Sequence, residues 1–386
     1  METLPQIVRL ISERGPLTMA DFMAVALYHP DYGYYASAAR RTGRNGDFFT
    51  SVDVGPLFGR LLARQFADMW RSTAGDPGAG TQSPDREFDL VEAAASNGQL
   101  ARDVLDAARA DDPEFYAAVR LHLVESSPAA RAAQHEMLAG HESKVASSGA
   151  RLPDAVHGVI YANELLDALP VHSVVMTPHG LRELYVDVRD GRLVERAGRP
   201  SSDALERYLA AAGVELQPGM RAEINLAALA WITRACLALH RGFLLLIDYG
   251  HEARELYSAA HAAGTLTTFR RHVAGEGRAA DGAPWLEHPG AQDITSHVDL
   301  TSIRRTAEAL GCATLGMLDQ TYFLLALGLA ELAADGDSSR LATRRRLALK
   351  TLMLPGGLGS THKVMVFAKG VGTPRLLGLS GTVRLT

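Results

Sequence analysis

The stretch FDLVEAAASNGQL, residues 88–100, carries in order the features from which an open α/β sheet builds a cofactor site. It predicts a buried strand that ends in Glu92, a turn of small residues that closes at Gly98, and a helix with one apolar face. Such a turn lets backbone amides approach a ligand, and the helix N-terminus adds partial positive charge. An ordinary turn is the alternative, because a dinucleotide fingerprint has three glycines and this turn has one.

Polar side chains close the next two predicted strands as well. A second apolar strand ends in Glu125, and an acid there can accept hydrogen bonds from both hydroxyls of a ribose. A third strand, 156–162, is followed by Asn163, Glu164 and Asp167. Because strand ends of an open parallel sheet face the ligand crevice, these three are the candidates for chemistry. Helix capping by Asn163 or Asp167 is the alternative.

Other segments are candidates for contact with a substrate. Residues 28–35, YHPDYGYY, predict an irregular loop that forms either a substrate wall or an aromatic plug over the sheet. A fourth apolar strand ends just before Tyr249. The long loop 269–292 has the length of a lid, and Arg270 at its start is suited to an anion. His297 follows this loop and is interpreted as a ligand contact or as a structural histidine.

Composition excludes several classes of protein. The net charge of −5 provides no general field for nucleic acid or an anionic membrane. Cys236 and Cys312 lie in apolar surroundings, as buried thiols do. No apolar run reaches about 18 residues and no signal-peptide pattern opens the chain, so a cytoplasmic protein is expected. Walker, HExxH and G-x-S-x-G motifs are missing and the 14 histidines do not fall at zinc-ligand spacings, so we expect no metal.

Ten segments carry a resemblance to a known family. They are ALYHPDYGYY (26–35), GDFFTS (46–51), the strand and turn 88–100, LVESSPAARAAQ (123–134), NELLDALPVH (163–172), IDYGHE (247–252), GTLTTFRRH (264–272), DITSHVDL (293–300), DQTYFLLALG (319–328) and LPGGLGSTHKVMVFAKG (354–370). In this order they resemble the MidA-like S-adenosylmethionine-dependent methyltransferases. Each segment alone is weakly specific, but the ordered set covers nearly the whole chain.

The resemblance implies an α/β fold with a Rossmann-like class I methyltransferase sheet, an added helical subdomain and an N-terminal cover segment. The implied segments are an N-terminal cover at 1–71, a core at 87–250 with a hairpin and helical insertion at about 171–240, a lid loop and helical subdomain at 251–352, and C-terminal strands at 353–386.

Site residues follow from the same resemblance, with S-adenosylmethionine as the cofactor. The implied cofactor-binding residues are Gly46, Asp47, Phe48, Thr50, Glu92, Gly98, Glu125, Ser126 and Asn163. The implied catalytic residues are Asn163, Glu164 and Asp167, and the implied substrate-binding residues are Tyr28, Tyr34, Tyr249, Arg270 and His297.

One segment departs from the family pattern. The family has glycine-proline-glycine-x-glycine in the turn after the first strand of the core, and this chain has Ala94-Ala95-Ser96-Asn97-Gly98. A left-handed backbone at Ala94 and Ser96 would cost roughly 1–2 kcal/mol each. Cofactor affinity is therefore the property that this departure bears on most.

The methyl acceptor has two alternatives at this stage. The family's best-described member methylates a protein arginine, which makes a protein substrate the first expectation. A small-molecule carboxylate or hydroxyl is the second, with Arg270 and Arg271 as anion contacts. A cofactor-binding assembly factor without catalysis is a third reading of the function. The sequence indicates neither a nucleic-acid partner nor an oligomer interface.

Overall fold

The computed structural model describes residues 3–38, 55–73, 87–270, 273–275, 283–334 and 362–380. The chain divides into two compact units. Unit 1 comprises residues 1–49, 165–232 and 249–306, and unit 2 comprises residues 50–164, 233–248 and 307–386.

Helices and strands are numbered in chain order. The described helices are α1 (Thr3–Arg14), α2 (Met19–Tyr28), α3 (Tyr34–Ala38), α4 (Pro56–Thr73), α5 (Gln99–Asp111), α6 (Pro113–Ala118), α7 (Pro128–Met137), α8 (Ala204–Ala212), α9 (Leu226–Ala238), α10 (Ala253–Leu256), α11 (Leu300–Ala309), α12 (Gln320–Ala326) and α13 (Leu329–Ala334). The described strands are β1 (Leu17–Thr18), β2 (Phe88–Ala93), β3 (Val119–Val124), β4 (Val145–Gly149), β5 (Val156–Asn163), β6 (His172–Thr177), β7 (Gly180–Arg189), β8 (Arg192–Gly198), β9 (Arg221–Ile224), β10 (Leu239–His251), β11 (Thr267–Arg270), β12 (Val273–Gly275), β13 (Asp293–Thr295), β14 (Val298–Asp299), β15 (Ala313–Asp319) and β16 (His362–Lys369).

Unit 2 is built on a sheet in the order β15-β16-β10-β5-β2-β3-β4. The pairs from β10 to β4 run parallel, and β15 pairs antiparallel with β16. The central strands β2 and β5 are buried along almost their whole length, as expected when both faces of a parallel sheet are covered. Gly158 lets β5 approach β2, because a Cβ there would lie 2.1 Å from the Asp89 carbonyl oxygen. This close pairing aligns the carboxyl ends of β2 and β5.

The core of unit 2 joins this sheet to α4 and α5. Phe66 of α4 packs against Tyr161 of β5 with ring centroids 4.7 Å apart. Leu100, Val104 and Leu105 of α5 are buried in the same cluster. The predicted apolar face of α5 is therefore its packing face, and it fixes where the helix begins relative to the strand ends.

Unit 1 has mainly antiparallel pairing, apart from the parallel contact of β14 with the end of β10. Its main sheet has the order β1-β7-β6-β9, with β8 added on β7, and β11 pairs with β12 and β13. Ile7 of α1 and Phe22 of α2 are fully buried beside Val171 and Val186. Thr18, just before the apolar run of α2, is expected to cap that helix, and its side chain accepts a hydrogen bond from the Asp21 backbone N–H. The alternating pattern of residues 171–199 predicts a hairpin with a turn at 189–192, and the turn is present with positive φ at Asp190 and Gly191.

Several predicted elements differ from the structure. Residues 28–35 are not wholly irregular, because α3 begins at Tyr34. The apolar pattern of residues 222–240 predicts a single helix, but β9 precedes α9 there, and β15 is a strand that the sequence patterns do not indicate. The pattern of residues 321–332 predicts one helix, which the structure breaks at Gly328, whose φ is 92°. A helix expected at 340–352 and a strand expected at 382–385 lie outside the described residues.

No helix among the described residues is both long enough and apolar enough to cross a membrane.

Candidate functional site

The turn between β2 and α5 adopts left-handed backbone at residues that are not glycine. Ala94 has a φ of 57° and Ser96 a φ of 46°, whereas Gly98 at the N-cap of α5 has a φ of 86°. A left-handed residue with a Cβ costs roughly 1–2 kcal/mol. The conformation that glycines would supply is thus kept here at the expense of strain.

Glu125 holds this strained turn in place. Its Oε2 accepts a hydrogen bond from the Ser96 N–H at 2.9 Å, and its Oε1 accepts one from the Ser127 N–H at 2.7 Å. The Ser126 hydroxyl donates to Oε1 at 3.3 Å, and the Gln134 side-chain amide donates to the Ser96 carbonyl at 2.7 Å. An ionised carboxylate offers about four acceptor positions, so Glu125 retains room for a ribose hydroxyl.

Glu92, near the end of β2, is a buried carboxyl group. Burial raises its pKa to about 8, and the Tyr161 hydroxyl, which donates to Oε2 at 2.9 Å, opposes this shift only in part. Burial also raises the pKa of Asp103, on the adjacent helix, to about 6. Glu92 is therefore largely protonated at neutral pH, and a cation placed beside it would lower its pKa and favour loss of the proton.

At the end of β5, Asn163 and Glu164 are brought together. The Asn163 side-chain amide donates to Glu164 Oε1 at 3.2 Å, and the Glu164 N–H donates to the Ile247 carbonyl of β10 at 2.8 Å. Glu164 has a φ of 52°, so its backbone is in the left-handed region. Strain of this kind persists where the surroundings fix it, and it is concentrated at functional sites.

His362 completes this strand end, although no sequence motif pointed to it. It is the first residue of β16, is fully buried, and places Nε2 3.4 Å from Glu164 Oε1. The signal for it was a histidine at the first inward position of an otherwise apolar alternating strand. A buried carboxylate and imidazole in contact form an arrangement that can hold a charged ligand group.

The acceptor groups of unit 2 fit S-adenosylmethionine. The Asn163 Oδ1 atom is buried and has no hydrogen-bond partner among the described residues. A buried acceptor without a donor is costly unless a ligand supplies one. The ammonium group and the ribose hydroxyls of this cofactor are hydrogen-bond donors. Asn163 and Glu125 have oxygen atoms that can accept hydrogen bonds from them.

Tyrosines and acids are clustered in unit 1. The Tyr28 hydroxyl donates to the Ala168 carbonyl at 2.9 Å, and the Tyr28 ring lies 5.2 Å from that of Tyr35. The Tyr35 hydroxyl donates to Asp293 Oδ1 at 2.8 Å. Burial raises the pKa of Tyr35 well above its ordinary value. The Asp293 carboxylate is the next largest cause, and Tyr28 and Asp167 add to the effect. Asp293 is a second site residue that no sequence motif pointed to.

The remaining predicted residues lie in several places. Tyr34 and Asp167 are buried in unit 1, and Tyr249 is half-buried there. The His297 backbone N–H donates to the Thr265 hydroxyl at 3.1 Å, and burial, with His251 and His261 nearby, lowers the pKa of His297 to about 4. Predicted residues outside the described part of the chain are Gly46, Asp47, Phe48, Thr50, Arg271 and the side chain of Arg270.

Comparison with known proteins relates most of the chain to methyltransferases. Residues 61–318 match the family model described as "Putative S-adenosyl-L-methionine-dependent methyltransferase". The human protein arginine methyltransferase NDUFAF7, mitochondrial, is 29% identical over 356 residues, which are 84% of this chain and 73% of that protein. Its Drosophila melanogaster homolog is 28% identical over 352 residues, which are 83% of this chain and 73% of that protein.

A solved structure is similar over nearly the full length. The crystal structure of a protein from Burkholderia thailandensis bound to S-adenosyl-homocysteine has a TM-score of 0.85 at 28% identity, and the match covers 98% of this chain and 94% of that one.

These comparisons overturn one prediction. The expected cytoplasmic location is wrong by this measure, because the curated relatives from human and Drosophila melanogaster are named as mitochondrial proteins. The error came from treating the lack of a signal-peptide pattern as an indication of compartment.

Proposed function

The chain belongs to the S-adenosyl-L-methionine-dependent methyltransferase family whose model it matches, and we propose that its methyl acceptor is the guanidinium group of a protein arginine. The predicted α/β methyltransferase fold and the predicted cofactor, S-adenosylmethionine, are both confirmed by the family match and the ligand-bound neighbour. The arginine acceptor is the proposal. The names of the relatives, which are called protein arginine methyltransferases, agree with it.

The observation that carries the proposal is the Glu164–His362 pair. A glutamate held in left-handed backbone is a poor choice for stability alone, because a glycine would adopt that conformation more readily. Its side chain is only 9% exposed, yet it is a carboxylate with a histidine 3.4 Å away. The strain is best explained by a need for the carboxylate at this position.

Arginine methylation requires such a carboxylate. A guanidinium stays protonated up to a pH of about 12 or more, so its nitrogen must be oriented while charged. When bound, S-adenosylmethionine would supply a methyl group from its sulfonium, and transfer of that group to a guanidinium nitrogen would leave S-adenosylhomocysteine and release one proton from the nitrogen to water. Glu164 would grip the guanidinium, and His362 would act as a positioning residue that holds the Glu164 carboxylate.

Two alternatives remain as outcomes of the test. A small-molecule carboxylate or hydroxyl acceptor was suggested by Arg270 and Arg271, whose side chains are outside the described part of the structure. The assembly factor without catalysis is the second alternative, and a turn of the wrong shape for the cofactor would favour it. Ala94 and Ser96 keep the left-handed geometry, so the turn gives this alternative less support.

The test is methyl transfer by Glu164→Gln. We expect label from S-adenosylmethionine to appear in methylarginine after hydrolysis of protein from an undermethylated lysate. The variant keeps the shape of the side chain but loses its charge, so arginine methylation should fall about 100-fold or more, which is about 2.7 kcal/mol of transition-state stabilisation. Binding of S-adenosylhomocysteine should stay within about threefold of wild type.

Glu136→Gln is the matched control, because Glu136 is an exposed residue of α7 in the same unit. It should leave both methylation and binding unchanged. Label in small-molecule esters or ethers would replace the arginine acceptor with the second candidate. Arginine methylation that survives Glu164→Gln would refute the role of Glu164.

A further inference from the structure

Three histidines from separate segments of unit 1 converge at one place. His251 ends β10, His261 ends a short 3-10 helix after α10, and His297 precedes β14. Each offers one ring nitrogen, and these nitrogens all lie within 4.8 Å of one another. The ring centroids are 5.0 to 5.9 Å apart.

Glu255 of α10 orients two of these rings. His251 Nδ1 lies 3.0 Å from the Glu255 carboxylate, and His261 Nδ1 lies 3.1 Å from the Glu255 carbonyl oxygen. A carbonyl or carboxylate oxygen only accepts, so in the neutral rings Nδ1 is the donor and Nε2 keeps its lone pair. Metal-binding histidines are oriented in the same way, with the second ring N–H donated to a carboxylate or a backbone carbonyl.

The third ring has an unused nitrogen. The Nδ1 atom of His297 is buried and finds no hydrogen-bond partner in the part of the chain that the structure describes. The backbone of His297 is fixed by its hydrogen bond to Thr265 and by the pairing of β14 with β10, in which Val298 lies opposite Gly250. A buried imidazole nitrogen without a partner is costly unless something binds it.

We propose that His251, His261 and His297 form a binding site for a divalent transition-metal ion of the zinc class. Imidazole ligands suit zinc, copper and nickel, whereas magnesium and calcium require oxygen ligands. In a tetrahedral site with bonds of about 2.1 Å, ligand nitrogens lie about 3.4 Å apart. The present spacing of up to 4.8 Å is wider than this, so a bound ion would draw the three rings closer together. Three protein ligands leave the fourth position to water.

The sequence spacing of these histidines does not match a common zinc motif, because the three ligands come from separate segments of the chain. His251 and His261 are 10 residues apart, and His297 follows 36 residues later. A bound ion would tie the end of β10, the 3-10 helix and the segment before β14 together within unit 1. The inference is independent of the methyl acceptor.

Calorimetric titration of the full-length protein with Zn²⁺ tests the proposal. The protein is prepared without a histidine tag, and any bound metal is first removed with a chelator. We expect one Zn²⁺ per chain, and His297→Ala and His261→Ala should each weaken binding about 100-fold or more. Glu255→Gln, which alters only an orienting group, should weaken it about tenfold. Tetrahedral d–d absorption by Co²⁺ in the wild type, lost in both alanine variants, would identify the ligand geometry.

The matched control is His157→Ala/His240→Ala. Those two rings are exposed and 5.7 Å apart in unit 2, so they measure adventitious surface binding. The control should bind Zn²⁺ as wild type does. Circular dichroism would show that each variant is folded, and two separate ligand variants guard against the failure of one. Binding lost in the control but kept in His261→Ala, or less than one Zn²⁺ per chain in wild type, would overturn the site.

Discussion

The strand ends of β2 and β5 in unit 2 both contain residues in left-handed backbone, but the strained residues differ in kind. After β2 they are Ala94 and Ser96, which have small side chains. After β5 the strained residue is Glu164, which carries a charge. The strained residues after β2 set the direction of the backbone amides, whereas the strained residue after β5 sets the direction of a side chain.

The contacts at each strand end agree with this distinction. Around Ser96 the hydrogen bonds join its backbone N–H and carbonyl to Glu125 and Gln134. Around Glu164 they join its carboxylate to Asn163, with His362 in contact. Glycine should therefore be acceptable after β2, where only the backbone is needed, but not at Glu164.

The largest expected effect concerns the carboxyl group of β2 and the pH dependence of stability. The pKa of Glu92 rises from its ordinary value to about 8 on folding, so between about pH 4.5 and 8 the folded state binds more protons than the unfolded state. The stability it contributes is complete below about pH 4.5 and is lost as the pH rises through 8. The loss is roughly 5 kcal/mol, since one pKa unit is worth about 1.4 kcal/mol.

Glu92→Gln should remove most of this slope, because glutamine stays neutral at every pH. Urea unfolding at pH 5 and pH 9 measures it in both proteins. The exposed Glu136→Gln should keep the wild-type slope. An unchanged slope in Glu92→Gln would mean that the folded state ionises Glu92 at its ordinary pKa.

The next largest effect is on cofactor affinity, which should distinguish a variant that disturbs the turn after β2 from a variant at the end of β5. Glu125→Gln replaces one of the two acceptor oxygens with a donor, so one of the N–H bonds from Ser96 and Ser127 is lost along with the ribose acceptor. We expect S-adenosylhomocysteine to bind about 100-fold more weakly, which is about 2.7 kcal/mol. Glu164→Gln serves as the crossed control and should bind it nearly as wild type does. Equal losses in both variants would erase the distinction.

The sequence predicted the parts of unit 2 that are local in the chain. Continuous apolar runs predicted β2, β3, β5 and β10, and the acids at their ends were selected because parallel strands end at one edge. The contact between Glu164 and His362 was missed because 198 residues separate them. The three-histidine cluster of unit 1 was missed for the same reason.

Other errors arose where local patterns were weak or misleading. The four residues of β9 precede a long apolar helix, and their own signal merged with that of the helix. The strand β15, ATLGMLD, has a glycine and little alternation, so its pairing with β16 decides its conformation. The backbone at Ala94 could not be predicted from its residue type, because alanine disfavours φ above zero.

The smallest expected effect tests whether the turn after β2 bears strain in its backbone alone. Ser96→Gly and Ala94→Gly each remove a left-handed cost of roughly 1–2 kcal/mol, but glycine also loosens the unfolded chain by about 0.4–1 kcal/mol. Each variant should therefore raise the free energy of unfolding by about 0.5–1 kcal/mol in urea titrations. Ala95→Gly is the matched control, since Ala95 lies between them, is buried, and is outside the left-handed region.

Ala95→Gly should lower the stability by about 0.5–1 kcal/mol, because it gains flexibility in the unfolded state without any relief of strain. The sign of the change thus reports the backbone conformation at each position of one short turn. A loss in Ser96→Gly as large as that in Ala95→Gly would show that the hydrogen bonds to Glu125 and Gln134 do not hold Ser96 in a strained state. In that case the turn after β2 would not be strained, and its comparison with the strained backbone of Glu164 would no longer hold.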